Sequence, residues 1–129
     1  MYNYGFLQGR KYPGPETLIE VISPSPRKSL FKVNAIIDSG AVKTCLPMKT
    51  ITGYAGNYKL PYRTREVTTA TGRKEEARSY FVDLKVSGYL FHNIEVLALN
   101  REYALLGRDI LNTLVLTLDG INLAWEMRR

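Results

Sequence analysis

The 129-residue sequence contains only one cysteine, Cys45, and only one histidine, His92. A single thiol cannot form an internal disulfide, and one Cys with one His cannot complete a four-ligand zinc site within one chain. A cysteine nucleophile also needs a base and an orienting partner, and nothing in the sequence points to that third group. We therefore expect no metal and no other cofactor. We also expect Cys45 to be a buried structural thiol and His92 to lie at the surface.

Long apolar runs are absent as well. No window approaches the roughly 18 consecutive apolar residues that a membrane-spanning helix needs. Residues 1–16 lack the charged-then-apolar order of a secretory signal, and no glycine-rich loop has the layout of a nucleotide site. No repeat or low-complexity tract interrupts the chain. These absences predict one domain over residues 1–129, with no membrane segment and a cytoplasmic location.

Acidic residues are outnumbered, with 12 Asp and Glu against 18 Lys and Arg, which gives a net charge of +6. Most of the excess lies in residues 1–60, which carry eight basic and three acidic side chains. Such a surplus fits either solubility or contact with nucleic acid. The basic residues are spread through turns and are not gathered with aromatic side chains that could stack on bases. Solubility is therefore favoured, and no nucleic-acid partner is expected.

The periodicity of apolar residues is that of β-strands along most of the chain. The runs with this pattern are residues 17–23, 31–38, 80–86, 114–118 and 121–125. The last two flank an Asp119-Gly120 turn, and in the run 80–86 the residues Tyr80, Val82, Leu84 and Val86 share one face. The only helix that the pattern indicates is short and covers residues 107–114. These features predict a small all-β domain, a closed barrel with one short C-terminal helix.

One carboxylate stands at the end of an apolar strand, in the stretch AIIDSGA. Asp38 closes a strand in which Val33, Ala35 and Ile37 alternate with Lys32 and Asn34, and Gly40 permits the turn that follows, so Asp38 lies at a corner between strand and loop. An Asp-Ser-Gly corner has an ordinary explanation, because Asp and Ser before Gly are common turn formers. The local pattern alone leaves both a turn and an active site open for Asp38.

Three separated segments together resemble one family, the retroviral-type (retropepsin-like) aspartic proteases. AIIDSGA resembles the active-site signature of the family, and ALLGRDIL, residues 104–111, is similar to its second conserved segment. Between them, TTATGRK (68–74) lies at the tip of a predicted hairpin, where family members carry a flap. The resemblance covers residues 17–126 and is nearest to the single-domain bacterial and archaeal members. It implies a closed β barrel of six or seven strands with a flap over residues 64–82 and an N-terminal extension over residues 1–16.

The resemblance also implies an activity and a set of site residues. Aspartic proteolysis uses two carboxylates that share one proton around a water molecule, and this chain has one Asp-Ser-Gly. A homodimer with one catalytic Asp38 per chain is therefore implied, acting on extended peptide or protein substrates, with an acidic or mildly acidic optimum. Ser39, Gly40 and Ala41 would form the active-site loop. The flap residues that contact substrate would be Ala70, Thr71 and Gly72, and the structural residues near the site Gly107, Arg108 and Asp109.

Two positions depart from the viral pattern. Viral enzymes carry an acid four residues after the catalytic Asp that pairs with the arginine of their Gly-Arg-Asn, and here that position is Val42. Arg108 must find another partner, and we expect either Asp109 or a carboxylate of the second subunit. The C-terminal hairpin is also longer than the single viral strand, and the sequence leaves open whether it forms a dimer sheet or caps the barrel.

Other functions stay open at this point. The domain could keep the fold as an inactive dimerisation or peptide-binding module, or a basic barrel could bind single-stranded nucleic acid. Replacement of Asp38 separates an enzyme from both, since neither alternative needs the carboxylate. The segment with Tyr54, Tyr58 and Tyr62 is a candidate rim for a substrate cleft.

Overall fold

The structure is a computed structural model that describes residues 1–7 and 12–129, so part of the extension predicted over residues 1–16 lies outside the described residues. The strands are β1 Tyr2–Asn3, β2 Glu16–Pro24, β3 Arg27–Ile37, β4 Cys45–Pro47, β5 Tyr62–Thr68, β6 Lys74–Val86, β7 Tyr89–Leu99, β8 Ala104–Leu106, β9 Val115–Asp119 and β10 Ala124–Arg128. The helices are α1 Met48–Tyr58 and α2 Arg108–Leu111.

Six strands close into a barrel in the order β2, β3, β8, β4, β7 and β6, and pairing of β6 with β2 completes the ring. Strand β5 extends β6 as an antiparallel hairpin outside the ring. Strand β8 lies between β3 and β4, parallel to the first and antiparallel to the second. The predicted class, an all-β closed barrel, is confirmed.

The barrel wall has two apolar faces. The inner face holds the main core, and the predicted alternation in β6 is confirmed there, because Tyr80, Val82, Leu84 and Val86 are at most 1% exposed. The outer face carries a second cluster on four neighbouring strands, which we call the outer cluster: Ile36, Cys45, Leu97 and Leu105. Adjacent residues of a strand point to opposite faces, which is how β3 supplies Ile37 to the core and Ile36 to the outer cluster.

Helix α1 was not predicted, and the expectation of a single helix was wrong. The segment has two glycines, Gly53 and Gly56, and no side-chain cap at its first turn, so its intrinsic helix propensity is low. Burial decides instead, because Ile51 is 0% exposed. Tyr54 stacks on Phe31 with ring centroids 5.2 Å apart, against the main core. Tyr54 and Tyr58 therefore pack on the core, and a place for them and Tyr62 at the rim of a substrate cleft stays a prediction.

Helix α2 falls within the predicted 107–114 segment, but only Arg108–Leu111 is helical. Two further turn hydrogen bonds continue to Leu114, from Thr113 N to Ile110 O and from Leu114 N to Leu111 O.

The C-terminal hairpin packs on the main core. Trp125 is 1% exposed and Met127 is 7% exposed, and both belong to the main core. The second strand begins at Ala124 and not at Ile121, because the Asp119 carboxylate accepts hydrogen bonds from Ile121 N (3.1 Å) and Asn122 N (3.0 Å) and holds a longer turn. Strand β10 pairs with β9 on one side and β1 on the other, so β1 and β9 form the edges of a three-stranded sheet.

Candidate active site

Asp38 follows the last residue of β3 and continues its ladder, because Asp38 N donates to Leu106 O (3.0 Å). Its Oδ1 accepts a hydrogen bond from Gly40 N (2.9 Å), and its carbonyl accepts one from Ala41 N (3.1 Å). A Cβ on Gly40 would lie 3.1 Å from Oδ1, so the glycine keeps the space beside the carboxylate open. Asp38 is half-buried, while Ser39 and Gly40 are exposed.

The loop 38–44, which we call the Asp38 loop, passes over the end of β8. Arg108 N donates to Ala41 O (2.8 Å), which ties the loop to the start of α2. Directly after β8, Gly107 lies against the loop so closely that a Cβ would stand 2.5 Å from the carbonyl carbon of Lys43. Only glycine fits that approach without displacing the loop.

The Asp109 carboxylate holds the far end of the Asp38 loop. It accepts hydrogen bonds from Thr44 N (3.0 Å) and from the Thr44 hydroxyl (2.8 Å), and Thr44 is 0% exposed. The same hydroxyl accepts a hydrogen bond from Gly107 N (3.1 Å). Asp109 and Gly107 therefore fix the Asp38 loop through Thr44.

Arg108 does not pair with Asp109, so that expectation was wrong. The carboxylate is occupied by Thr44 and by Ile110 N (3.0 Å). The Arg108 side chain is exposed and has no acidic partner within the described part of the chain. A carboxylate of a second subunit stays a prediction for its partner.

Ile36 lies two residues before Asp38, and side chains two residues apart along a strand point to the same face. Asp38 and Ile36 therefore both lie on the outer face of the barrel wall. Both line one cavity together with Leu7, which also packs on the outer cluster. Burial raises the pKa of the Cys45 thiol in that cluster to about 11; the charge of Arg101 opposes this increase, and the charges of Asp109 and Asp38 add to it. Cys45 is thus a buried, protonated thiol close to Asp38. The apolar side chains that line the cavity with Asp38, Ile36 and Leu7, are continuous with the outer cluster.

The β5–β6 hairpin ends in a turn at Ala70, Thr71 and Gly72, all of them exposed. Gly72 has φ of +82°, which favours glycine, and its N–H donates to Thr69 O (2.9 Å). The Thr71 hydroxyl bonds that of Thr69 (3.0 Å) within the turn. Lower in the hairpin, Val67 packs on the outer cluster, so the base of the hairpin covers part of the face that Asp38 shares.

Three basic side chains surround one carboxylate on the same face, in a group that we call the cationic cluster: Lys43, Arg63, Arg65 and Glu95. Glu95 accepts from Lys43 Nζ (2.9 Å) and Arg63 Nε (2.7 Å), and from Arg65 Nη2 (2.7 Å). The hydroxyl of Ser79 donates a further bond to Oε2 (2.7 Å). Sequence analysis missed this cluster, although one glutamate inside the apolar run 94–99 was a signal that a partner must exist.

The hydrogen bond from Arg63 lowers the pKa of Glu95 far below its usual range, and bonds from Arg65, Ser79 and Lys43 add to that effect against the opposing effect of burial. A carboxyl whose folded pKa is depressed stabilises the fold above its unfolded pKa, and this contribution is lost as the pH falls from that value towards the folded pKa. We expect Glu95→Gln to reduce the free energy of unfolding at pH 7 by about 2 kcal/mol. The difference in the free energy of unfolding between this variant and the unmodified protein should become smaller as the pH falls below about 4.5.

Denaturant titrations at a series of pH values measure this gap. Glu126→Gln is the matched control, because Glu126 is exposed, and its gap should stay near zero throughout. A gap for Glu95→Gln that stayed constant down to the lowest pH would contradict the ion-pair explanation.

Comparison with known proteins decides the family. The family model described as "gag-polyprotein putative aspartyl protease" matches residues 30–113, which include the Asp38 loop, the β5–β6 hairpin and α2. The chain belongs to the retropepsin-like aspartic protease family. No curated protein matches it.

Two solved structures share the fold of this family member. The solution structure of Simian Foamy Virus (mac) protease is 26% identical, with a TM-score of 0.52, over 76% of this chain and 92% of that one. EIAV protease complexed with the inhibitor HBY-793 is 22% identical, also with a TM-score of 0.52, over 78% of this chain and 86% of that one. Both agree with the closed barrel described above.

Within residues 1–7 and 12–129, no group of three or more His, Cys, Asp or Glu side chains is placed to hold a metal ion. The His92 side chain is 65% exposed, with Nδ1 3.3 Å from Asp83 Oδ2. In the same ranges, no helix has the length and apolar character needed to cross a membrane.

Proposed function

We propose that this chain is an aspartic endopeptidase, active as a homodimer in which each chain supplies one Asp38. The observation that carries the proposal is the placement of Asp38 in a member of this family: it follows the buried end of β3, it is half-buried on an apolar face, and a loop anchored at Ala41 and Thr44 holds it there. The proposed unit is one domain over residues 1–129, with residues 1–16 as an N-terminal extension.

The proposed chemistry divides the work between the two carboxyl groups. One carboxylate takes a proton from a water molecule, whose oxygen attacks the carbonyl carbon of the substrate. The other, protonated carboxyl donates its proton to the carbonyl oxygen, so the pair shares one proton before the reaction. The carboxyl that took the proton from water then gives it to the amide nitrogen, and the other carboxylate takes a proton from a hydroxyl of the tetrahedral intermediate, so the carbon–nitrogen bond breaks and the pair again shares one proton. No part of this sequence of steps requires a cofactor.

The neighbours of Asp38 have separate proposed roles. The exposed hydroxyl of Ser39 would bond across the dimer axis, and Gly40 leaves room beside the carboxylate for the substrate backbone. Ala41 accepts the hydrogen bond that joins the Asp38 loop to α2, and its small side chain would leave the adjoining pocket open. The outer cluster would receive apolar side chains that flank the scissile bond.

The β5–β6 hairpin is the proposed flap. Its exposed tip, Ala70, Thr71 and Gly72, would hydrogen-bond the main chain of an extended peptide, which is recognition by strand addition. The packing of Val67 on the outer cluster supports this role, because it directs the base of the hairpin towards the face that carries Asp38.

The terminal sheet supports the proposed homodimer. Within the described residues, β1 and β9 each have one edge without a partner strand. Exposed apolar side chains lie along this sheet, with Tyr2 50%, Val115 45% and Leu118 53% exposed. An open edge with apolar side chains is suited to pairing with a second copy.

The test is incubation of the protein with a mixture of denatured proteins from acidic to neutral pH, with and without a transition-state mimic of peptide hydrolysis. New peptide fragments that the mimic suppresses are expected. Sedimentation equilibrium over a range of concentrations should show dimers under the same conditions. A strictly monomeric protein, or a dimer that cleaves nothing at any pH, would overturn the proposal, and the second outcome favours the inactive peptide-binding module.

A further inference from the structure

The cationic cluster carries more positive charge than its structural role requires. Glu95 neutralises one of three basic groups, so the cluster keeps a net charge of +2. No other carboxylate within the described residues contacts Lys43, Arg63 or Arg65. Two positive charges held side by side without a counter-ion indicate a place that an anion would occupy.

The hydrogen bonds of the cluster give the same result. Glu95 is saturated, because each of its two oxygens accepts three hydrogen bonds. Arg63 and Arg65 each use Nε and Nη2 on Glu95, which leaves three of the five N–H groups of each guanidinium without an acceptor among the described residues. These donors remain accessible, since the side chains of Lys43, Arg63 and Arg65 are 32%, 53% and 36% exposed.

The donors are also held in place. Each guanidinium contacts Glu95 through two nitrogens, and Arg63 lies over the Phe81 ring with 5.4 Å between Cζ and the ring centroid. Fixed donors bind an anion with little further loss of side-chain entropy. Glu95, with an exposure of 9%, anchors the group and leaves the outward donors to another partner.

The position of the cluster relates it to Asp38. Lys43 belongs to the Asp38 loop. Arg65 lies two residues before Val67 in β5, so both side chains are on the same face of that strand, and Val67 packs on the outer cluster. Glu95 lies two residues before Leu97 in β7, so these two also share a face. The outer cluster therefore lies between Asp38 and the cationic cluster on one continuous face of the barrel.

The distance from Asp38 to the cationic cluster indicates which residue of a bound substrate would reach the cluster. Three strand spacings separate β3 from β7, by way of β8 and β4. At about 4.8 Å for each spacing, the distance from β3 to β7 is roughly 14 Å, which an extended peptide spans in about four residues. The long side chains of Lys43, Arg63 and Arg65 can reach towards the peptide, so fewer residues can suffice. The opposite end of the face is acidic, because Glu16 and Asp38 line the cavity there.

We propose that Lys43, Arg63 and Arg65 select substrates with an acidic side chain about two to four residues from the scissile bond, beyond apolar residues that flank the bond. The inference rests on the proposed function, which places the peptide on this face. In the proposed homodimer, the two-fold axis duplicates the cluster, so an acid on either side of the bond meets one.

The test uses fluorescent peptides with a central apolar pair and either Glu or Gln at two, three or four residues from it. Binding is measured by anisotropy on the 129-residue protein that carries Asp38→Asn, so that nothing is cleaved. We expect the best Glu peptide to bind about tenfold more tightly than its Gln counterpart at low salt, and this ratio to fall at high salt. Cleavage of the same pair by the protein with Asp38 intact should show a similar ratio of kcat/KM.

Two variants and a matched control assign the effect. Lys43→Gln and Arg65→Gln should each reduce the ratio to about threefold or less, because each removes one of the charges. Lys85→Gln removes an exposed charge outside the cluster and should leave the ratio unchanged. Thermal melts of each variant establish that it is folded.

The outcomes separate this inference from the proposed function. Equal binding of Glu and Gln peptides would overturn the inference, even if the protein cleaves both. A Glu preference that Lys43→Gln and Arg65→Gln do not change would overturn it too. A preference that depends on the cluster, in a protein that cleaves nothing, would support the inference and overturn the endopeptidase.

Discussion

Asp38→Asn is expected to lower kcat for peptide hydrolysis by at least about 10³-fold, because an amide can neither take a proton from water nor share one with the second carboxyl. The fold should persist, since an asparagine oxygen can still accept the hydrogen bond from Gly40 N that Oδ1 accepts at 2.9 Å. Cleavage of a fluorogenic peptide measures the loss, and sedimentation equilibrium should show the same dimer for both proteins.

The matched control is Asp119→Asn. Among the described residues, the Asp119 carboxylate bonds only the turn between β9 and β10, where it accepts from Ile121 N, Asn122 N and Asn122 Nδ2. The same chemical change there should leave kcat unaltered. Undiminished hydrolysis by Asp38→Asn would remove Asp38 from the mechanism.

Mixing the two proteins tests whether the site needs both chains. If unmodified and Asp38→Asn chains exchange in equal amounts, about one quarter of the dimers contain two intact chains, so activity per total chain should fall to about one quarter. An enzyme that carried a complete site in each chain would retain one half. The difference between these two values decides between one and two chains per site.

Asp109→Ala is expected to reduce the free energy of unfolding by about 3 kcal/mol and to lower Tm by roughly 10 °C. The reason is burial: Thr44 is 0% exposed, and both its N–H and its hydroxyl donate to the Asp109 carboxylate. Without that carboxylate, two buried donors lose their acceptor. Hydrolysis should also fall, because the Asp38 loop loses its anchor at Thr44.

Asp109→Asn is the matched control, because an amide oxygen at the Oδ1 position can still accept from both Thr44 N and the Thr44 hydroxyl, which each donate to Oδ1. We expect its loss of stability to be clearly smaller than that of Asp109→Ala. Thermal and denaturant unfolding provide the comparison. Equal stabilities for the two variants would show that the carboxylate does not hold the loop through Thr44.

The barrel was predictable because its evidence is local. Alternation along residues 80–86 specifies which side chains face inward, and any strand that buries one face must obey it. The family resemblance was also confirmed from short segments, AIIDSGA and ALLGRDIL, whose residues lie within one turn or one strand end. The helix over residues 48–58 was not predictable, because its glycines oppose a helix and only the burial of Ile51 against distant strands favours it.

By itself, the sequence determined that the chain is an all-β member of the retropepsin-like family with one Asp-Ser-Gly at the end of a strand. Those features depend on neighbours a few positions apart. Only the tertiary structure decided that Asp109 binds Thr44 and not Arg108, and that Glu95 gathers Lys43, Arg63 and Arg65. The residues of these contacts are 65, 52, 32 and 30 positions apart, so closure of the barrel, and no local pattern, brings them together.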